Sequence, residues 1–252
     1  MRAAANVKVM PDQTSTLESL RRRQLAEHGP QPCVTWYDLS TGERTELSNT
    51  TFDNWVAKTA NLMVELGIGA GDTVAVGLPP HWQRNVWWAA IWAMGAVLDS
   101  HGSDASGPAL MVCTLDRATA SDADETVLCS LLPLGRPLPD PPPASCIDYA
   151  LDVRTQPDRF SAPLPVATDD ALISETTVMS NADVIVAVQG EVTRRGLTTS
   201  ARLLVESDSD AVLAHVAALL VGGSQVIVGG DTMPAGAPLD RIVTDERTTN
   251  RW

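Results

Sequence analysis

Leu66-Gly67-Ile68-Gly69-Ala70-Gly71-Asp72-Thr73-Val74-Ala75-Val76-Gly77-Leu78-Pro79-Pro80 is the stretch whose reading decides the fold. Gly67 stops a helix that runs up to Leu66, as glycine does where a helix ends in a left-handed residue. Gly71-Asp72 is turn chemistry. The apolar run from Thr73 is too short for a helix and reads as a buried strand. After Pro79-Pro80 a strongly apolar helix is expected over residues 81–94, ended by Gly95, and Ala96-Val97-Leu98 opens another strand. Strand, helix and strand at this spacing form a βαβ unit, which requires parallel pairing.

Upstream, residues 14–28 read as a first helix, ended by Gly29-Pro30. Residues 33–39 and 43–48 read as a hairpin around Ser40-Thr41-Gly42. A helix capped by Thr50 or Thr51 follows, with Trp55, Ala60, Leu62, Val64 and Leu66 as its apolar stripe. Downstream, residues 109–113 and 127–132 have strand length. The proline-rich run 133–143 cannot pair inside a sheet and is read as a connector. Residues 184–188 are expected as a strand or buried turn, followed by a helical stretch from Glu191. Strand 202–205, helix 211–221, a stop at Gly222-Gly223 and strand 225–228 complete the pattern.

The deciding stretch has an echo. Arg195-Gly196-Leu197, Ala201-Arg202-Leu203-Leu204-Val205, a helix and Gly223-Ser224-Gln225-Val226 repeat its order. Gly67 and Gly196 lie 129 residues apart and Gly95 and Gly223 lie 128 apart, so a one-residue gap aligns the two. The expected class is therefore α/β, two related βαβ-type layers with mainly parallel sheets flanked by helices. The expected division is a first subdomain at 14–132, a connector at 133–166 and a second, shorter subdomain at 167–252.

Composition narrows the function classes. The net charge is −13, from 18 basic and 31 acidic residues. That balance lacks the clustered basic footprint a nucleic-acid partner needs. Arg21-Arg22-Arg23 reads as a solvated helix face. The longest apolar run, 86–98, is shorter than the roughly 20 residues of a bilayer span, and residues 1–17 hold no secretory apolar core. A cytoplasmic protein without membrane contact is expected. Cys33, Cys113, Cys129 and Cys146 form no CxxC pair, and His28, His81, His101 and His215 are scattered. The sequence therefore encodes no local zinc site or disulfide framework, and no metal is expected.

The segment Asn61 to Pro80, with the helix after Pro80-His81-Trp82 and Gly95-Ala96-Val97, resembles the N-terminal domain of AMP-binding, acyl-adenylate-forming enzymes such as acyl-CoA synthetases. More closely, the chain resembles short stand-alone proteins distantly similar to those enzymes. In the enzymes a Ser/Thr/Gly-rich loop ending in Pro-Lys-Gly cradles ATP phosphates through backbone N–H groups and a lysine. The resemblance places this loop at 172–186, where Thr176-Thr177 would be its remnant. No glycine occurs between Gly135 and Gly190, and no lysine follows Lys58. The Tyr-Gly-x-Thr-Glu and Thr-Gly-Asp segments of those enzymes are absent as well.

The expectation is thus an AMP-binding-enzyme-like chain without adenylate-forming activity on its own, binding a small molecule or a protein partner. The alternative is an AMP-forming acid–thiol ligase acting with a separate chain, and only then would ATP, AMP or coenzyme A be cofactors. No catalytic residue is nominated. Ligands of open α/β sheets approach the carboxyl ends of strands, which nominates Pro80, His81 and Trp82, with Thr176 and Thr177 at the phosphate-loop position. Trp82, Trp87, Trp88 and Trp92 share one helix and are expected to pack in the core, Trp82 being the one placed to meet a ligand. Asp99 to Asp104 holds serine, histidine and aspartate but no nucleophile elbow, and reads as a polar loop. Glu206, Asp208 and Asp210 lack the calcium-loop pattern and read as a helix-capping region.

Overall fold

The computed structural model describes residues 14–100, 107–120, 123–174, 177–205, 210–229 and 237–252. They form two mainly parallel sheets with helices, as the βαβ pattern requires. Two compact units pack separately. One comprises the described residues of Met1–Phe52, Pro80–Trp82 and Ala182–Trp252, the other Asp53–Pro79 and Gln83–Asn181. This grouping differs from the consecutive division expected around 133–166. The physical reason is strand pairing across long sequence separations, which draws the N-terminal hairpin onto a C-terminal strand.

In the first unit, helix α1 (Leu17–His28) opens with a capping box in which Thr16 and Ser19 exchange side-chain-to-backbone hydrogen bonds. Strand β1 (Pro32–Asp38) pairs antiparallel with β2 (Arg44–Ser48) and parallel with β11 (Ser224–Gly229). Strand β10 (Arg202–Val205) pairs parallel with β11 and with the short β12 (Asn250–Arg251), giving the order β12-β10-β11-β1-β2. Helix α7 (Ala237–Asp245) lays Leu239, Ile242 and Val243 against Leu204, Val226 and Val228. The arginine run read as a solvated face is only partly one. Arg21 is buried against the Glu18 carboxylate, and Arg23 donates to the Leu220 carbonyl at 3.2 Å.

In the second unit the order is β7-β6-β5-β3-β4-β8-β9, parallel throughout except for β9. Its strands are β3 (Thr73–Gly77), β4 (Val97–Asp99), β5 (Leu110–Cys113), β6 (Glu125–Leu128), β7 (Cys146–Asp148), β8 (Asp170–Ser174) and β9 (Thr177–Ser180). Helix α2 (Asn49–Glu65) buries Phe52, Val56, Ala60 and Met63, a helical stripe, whereas Val64 points outward at 54% exposure. Val64 therefore does not belong to the expected stripe. Helix α3 (Trp82–Met94) buries every residue from Trp82 to Met94, and all four of its tryptophans are core residues.

Three expectations need correction. The connector at 133–166 contains an edge strand, β7, and a single helical turn, α4 (Tyr149–Asp152), which Asp148 caps by accepting from the Ala150 N–H. Only the proline run itself stays out of the sheet. Residues 184–188 are not a strand but the middle of helix α5 (Asn181–Arg194). Val184, Ile185 and Val188 face inward and Val186 is 66% exposed, a helical period hidden in a β-branched run. The repeat also aligns with a larger gap. Thr73 pairs with Val97 as Arg202 pairs with Ser224, so the offset falls from 129 to 127 and Gly95 corresponds to Gly222.

That correspondence extends to backbone geometry. Gly67, Gly95, Gly196 and Gly222 have φ of 80, 75, 63 and 66°. Beyond each, the following N–H reaches back to a carbonyl of the last helical turn, as Ile68 N does to Met63 O at 3.0 Å and Gly223 N to Ala218 O at 2.8 Å. Gly223 itself is glycine for a different reason, since a Cβ there would lie 2.0 Å from the Ala201 carbonyl oxygen. Gly190, inside α5, has nothing within 4 Å of that position. Urea unfolding is therefore expected to show Gly223→Ala losing about 3 kcal/mol through a forced backbone shift. Gly190→Ala should gain up to about 1 kcal/mol through helix propensity.

Candidate functional site

The residues nominated at the strand ends are packed rather than open. Trp36 Nε1, from β1, donates to the Pro80 carbonyl at 3.0 Å. The His81 ring meets Trp36 edge-on at 4.3 Å and lies 5.4 Å from the Trp82 ring. Gly229, at the end of β11, completes the contact, because a Cβ there would sit 2.6 Å from the Pro80 oxygen and 2.7 Å from Trp36 Nε1. His81 and Trp82 are buried, and Pro80 is partly so. Thr177 is exposed at the start of β9. Thr176, His101 to Asp104, Glu206 and Asp208 lie outside the described residues. Asp99 is buried at the end of β4. Asp210 stands at the cap position of α6 (Ala211–Val221) but makes no side-chain cap bond.

Titratable groups with catalytic potential are held inert. Burial pushes the Cys33 thiol up to about 12 and the Cys113 thiol up to about 11, and Cys129 is raised by the same cause. These thiols stay protonated at neutral pH and are poor nucleophiles. Burial lowers His215 to about 4, partly offset by its Nδ1 contact with Gln225 Oε1 at 2.8 Å, so its ring is neutral and enclosed. Lys58 donates to the Gln156 carbonyl. No cluster of three or more metal-ligating side chains occurs among the described residues.

Within the span that the resemblance assigns to the phosphate loop, β8 and β9 pair antiparallel. Ile173 pairs with Val178 and Ser174 with Thr177, so two residues connect β8 to β9. Helix α5 begins directly after β9. A phosphate cradle needs several successive N–H groups turned toward one point, whereas the backbone on both sides of this connection is committed to the ladder.

A second place, which the sequence did not suggest, is a groove of about 490 Å³ at the amino ends of β1, β10 and β11. Its floor is an ionic network. Arg202 donates to Ser224 Oγ at 2.9 Å, to Thr35 Oγ1 at 2.8 Å and to Glu246. Arg44 donates to Glu246 at 2.8 Å and to Glu46 at 2.7 Å, and Tyr37 donates to Glu246. Burial alone would raise the Glu246 carboxyl, but hydrogen bonds from Arg44, Tyr37 and Arg202 outweigh it and hold it at about 2. Leu239, Ile242 and Val243 at i, i+3 and i+4 do carry a helical signal for α7, but Glu246 and its partners are far apart in sequence and meet only once that helix is placed on the sheet.

The fold is that of the N-terminal domain of AMP-binding, adenylate-forming enzymes. An acyl-CoA synthetase from Brucella canis superposes with a TM-score of 0.75 at 18% identity, covering 99% of this chain and 49% of that one. The N-terminal domain of FACL13 from Mycobacterium tuberculosis gives 0.68 at 14% identity, covering 94% and 62%. The chain thus spans less than two thirds of these solved chains. No family model matches it. A TIGR03089 family protein of Mycobacterium tuberculosis is 32% identical over 232 residues, covering 86% of this chain and 90% of its own length. The chain belongs to the TIGR03089 family. No helix among the described residues is long and apolar enough to cross a membrane.

The Glu246 network makes a signed prediction. A carboxyl held near 2, against an ordinary 4.5, stabilises the fold above pH 4.5 and loses that contribution as pH falls toward 2. Glu246→Gln should cost about 1–2 kcal/mol at pH 7 by urea unfolding, once the shift is discounted for solvent screening. Its deficit relative to wild type should shrink progressively below pH 4.5.

Proposed function

We propose that this chain is a binding module built on the adenylate-forming scaffold, without adenylate-forming activity of its own. The observation that carries the reading is the two-residue connection between Ser174 and Thr177. It leaves no length for a glycine-rich phosphate loop, and the sequence offers no glycine between Gly135 and Gly190 and no lysine after Lys58. The net charge of −13 adds a field unfavourable to nucleotide phosphates. On this reading the protein is cytoplasmic and takes a small molecule or a protein partner. It uses no nucleic acid, membrane, metal or nucleotide cofactor.

A second reading follows from the partial coverage of the solved acyl-CoA synthetase chain. A separate chain would complete an AMP-forming acid–thiol ligase and bring ATP, AMP or coenzyme A with it. Pyrophosphate exchange from ATP·Mg²⁺ over a panel of carboxylic acids separates the two. The purified chain is expected to give background exchange alone. Exchange above background by the chain alone would refute the proposal. Exchange that arises only on adding a second purified chain would establish the other reading.

A further inference from the structure

The groove at the amino ends of β1, β10 and β11 holds two places where a non-glycine residue takes the left-handed position that glycine takes at the equivalent turns. Helices α2, α3, α5 and α6 each hand over to the next segment through a left-handed glycine: Gly67, Gly95, Gly196 and Gly222. Helix α7 ends in the same hydrogen-bond pattern, with Arg247 N to Thr244 O at 3.3 Å and Thr248 N to Val243 O at 3.1 Å. The left-handed residue there is Arg247, at φ 51°. In the turn before the repeated strand, Gly71 at φ 84° has Ser200 at φ 60° as its counterpart. Glycine adopts this conformation without the steric cost that a Cβ brings.

Packing explains neither substitution. Arg247 is exposed, and its side chain makes no ion pair or hydrogen bond with a described residue. The Ser200 side chain is likewise exposed and unbonded among the described residues. Of the three non-glycine residues with positive φ among the described residues, both of these line the one groove. Strained residues kept against stability gather where a ligand is bound.

The chemistry of the lining defines the ligand. Arg202 spends its donors on Ser224, Thr35 and Glu246, so it belongs to the floor. Arg247, Ser200 and the Gln31 amide are the available donors, and the guanidinium and hydroxyl are suited to a carboxylate. Across the same lining, Asp245 presents a carboxylate suited to an ammonium, whereas Glu46 is committed to Arg44, Thr35 and Arg202 and belongs to the floor. Asp245 has only an exposed 3.3 Å contact with Arg241. The lining has no aromatic residue and, apart from Pro32, no sizeable apolar side chain, so an acyl chain finds no surface there. We infer that this groove binds a small zwitterion of the amino-acid type, its carboxylate on Arg247 and Ser200 and its ammonium toward Asp245. The inference does not depend on whether the chain can adenylate.

The test uses the full-length protein and a panel of L-α-amino acids at millimolar concentration, read by thermal shift and calorimetric titration. Each amino acid is matched with its decarboxylated amine and its deaminated acid. At least one amino acid should raise the midpoint and titrate saturably, while its amine and acid do neither. Arg247→Gly should raise the urea midpoint of the free protein by relieving the left-handed arginine, and weaken binding at least tenfold. Asp245→Asn, a surface change, should weaken binding without altering the free protein's midpoint. Silence across the whole panel would overturn the site, as would equal binding of the amine or acid alone. Undiminished binding by Arg247→Gly, or its failure to stabilise the free protein, would overturn the role given to that residue.

Discussion

Helices α2, α3, α5 and α6 each end in one left-handed glycine followed by a backward hydrogen bond, and the registers of the parallel strands depend on that turn. Ile68 N to Met63 O, Ala96 N to Ile91 O, Leu197 N to Val192 O and Gly223 N to Ala218 O are the same bond made four times. The turn satisfies carbonyls that a helix end would leave open and fixes where the next strand starts. Val97 N then finds Asp72 O at 2.9 Å, and Ser224 N finds Ala201 O at 3.0 Å, which sets both parallel registers. Where two backbones converge after such a turn, as at Gly223 beside Ala201, no side chain fits.

The parts legible in the sequence were those governed by this local chemistry. The Gly71-Asp72 turn, strand β3, helix α3 and their echo in β10, α6 and β11 were readable because glycine positions and apolar runs carry them. The parts missed depend on distant partners. Val184-Ile185-Val186 has strand composition, and only the packing of Val184, Ile185 and Val188 makes it helical. Strands β7 and β12 are too short to announce themselves, and each exists through a neighbour, β6 and β10 respectively. Arg202 and Glu246 are 44 residues apart, so their pairing could not be seen before α7 was placed.

For the site, the rule that ligands meet the carboxyl ends of strands directed attention to Pro80, His81 and Trp82. Trp36 and Gly229 fill that place in the first unit, the tryptophan by its N–H bond and the glycine by allowing contact. The amino ends of the same sheet carry the open groove, the charged network and two left-handed non-glycine residues. A fold shared with adenylate-forming enzymes thus carries a polar recess in its first unit and an antiparallel β8–β9 pair in its second. Fold kinship here constrains architecture, and the chemistry follows from the side chains that occupy it.

Direct titration of ATP·Mg²⁺ into the purified full-length chain, followed by calorimetry, tests the central claim most simply. With two residues between Ser174 and Thr177 in place of a phosphate loop, the account predicts no saturable heat at millimolar nucleotide. Stoichiometric binding that is lost when Thr176 and Thr177 are replaced by alanine would contradict it, since it would place a working phosphate site between β8 and β9.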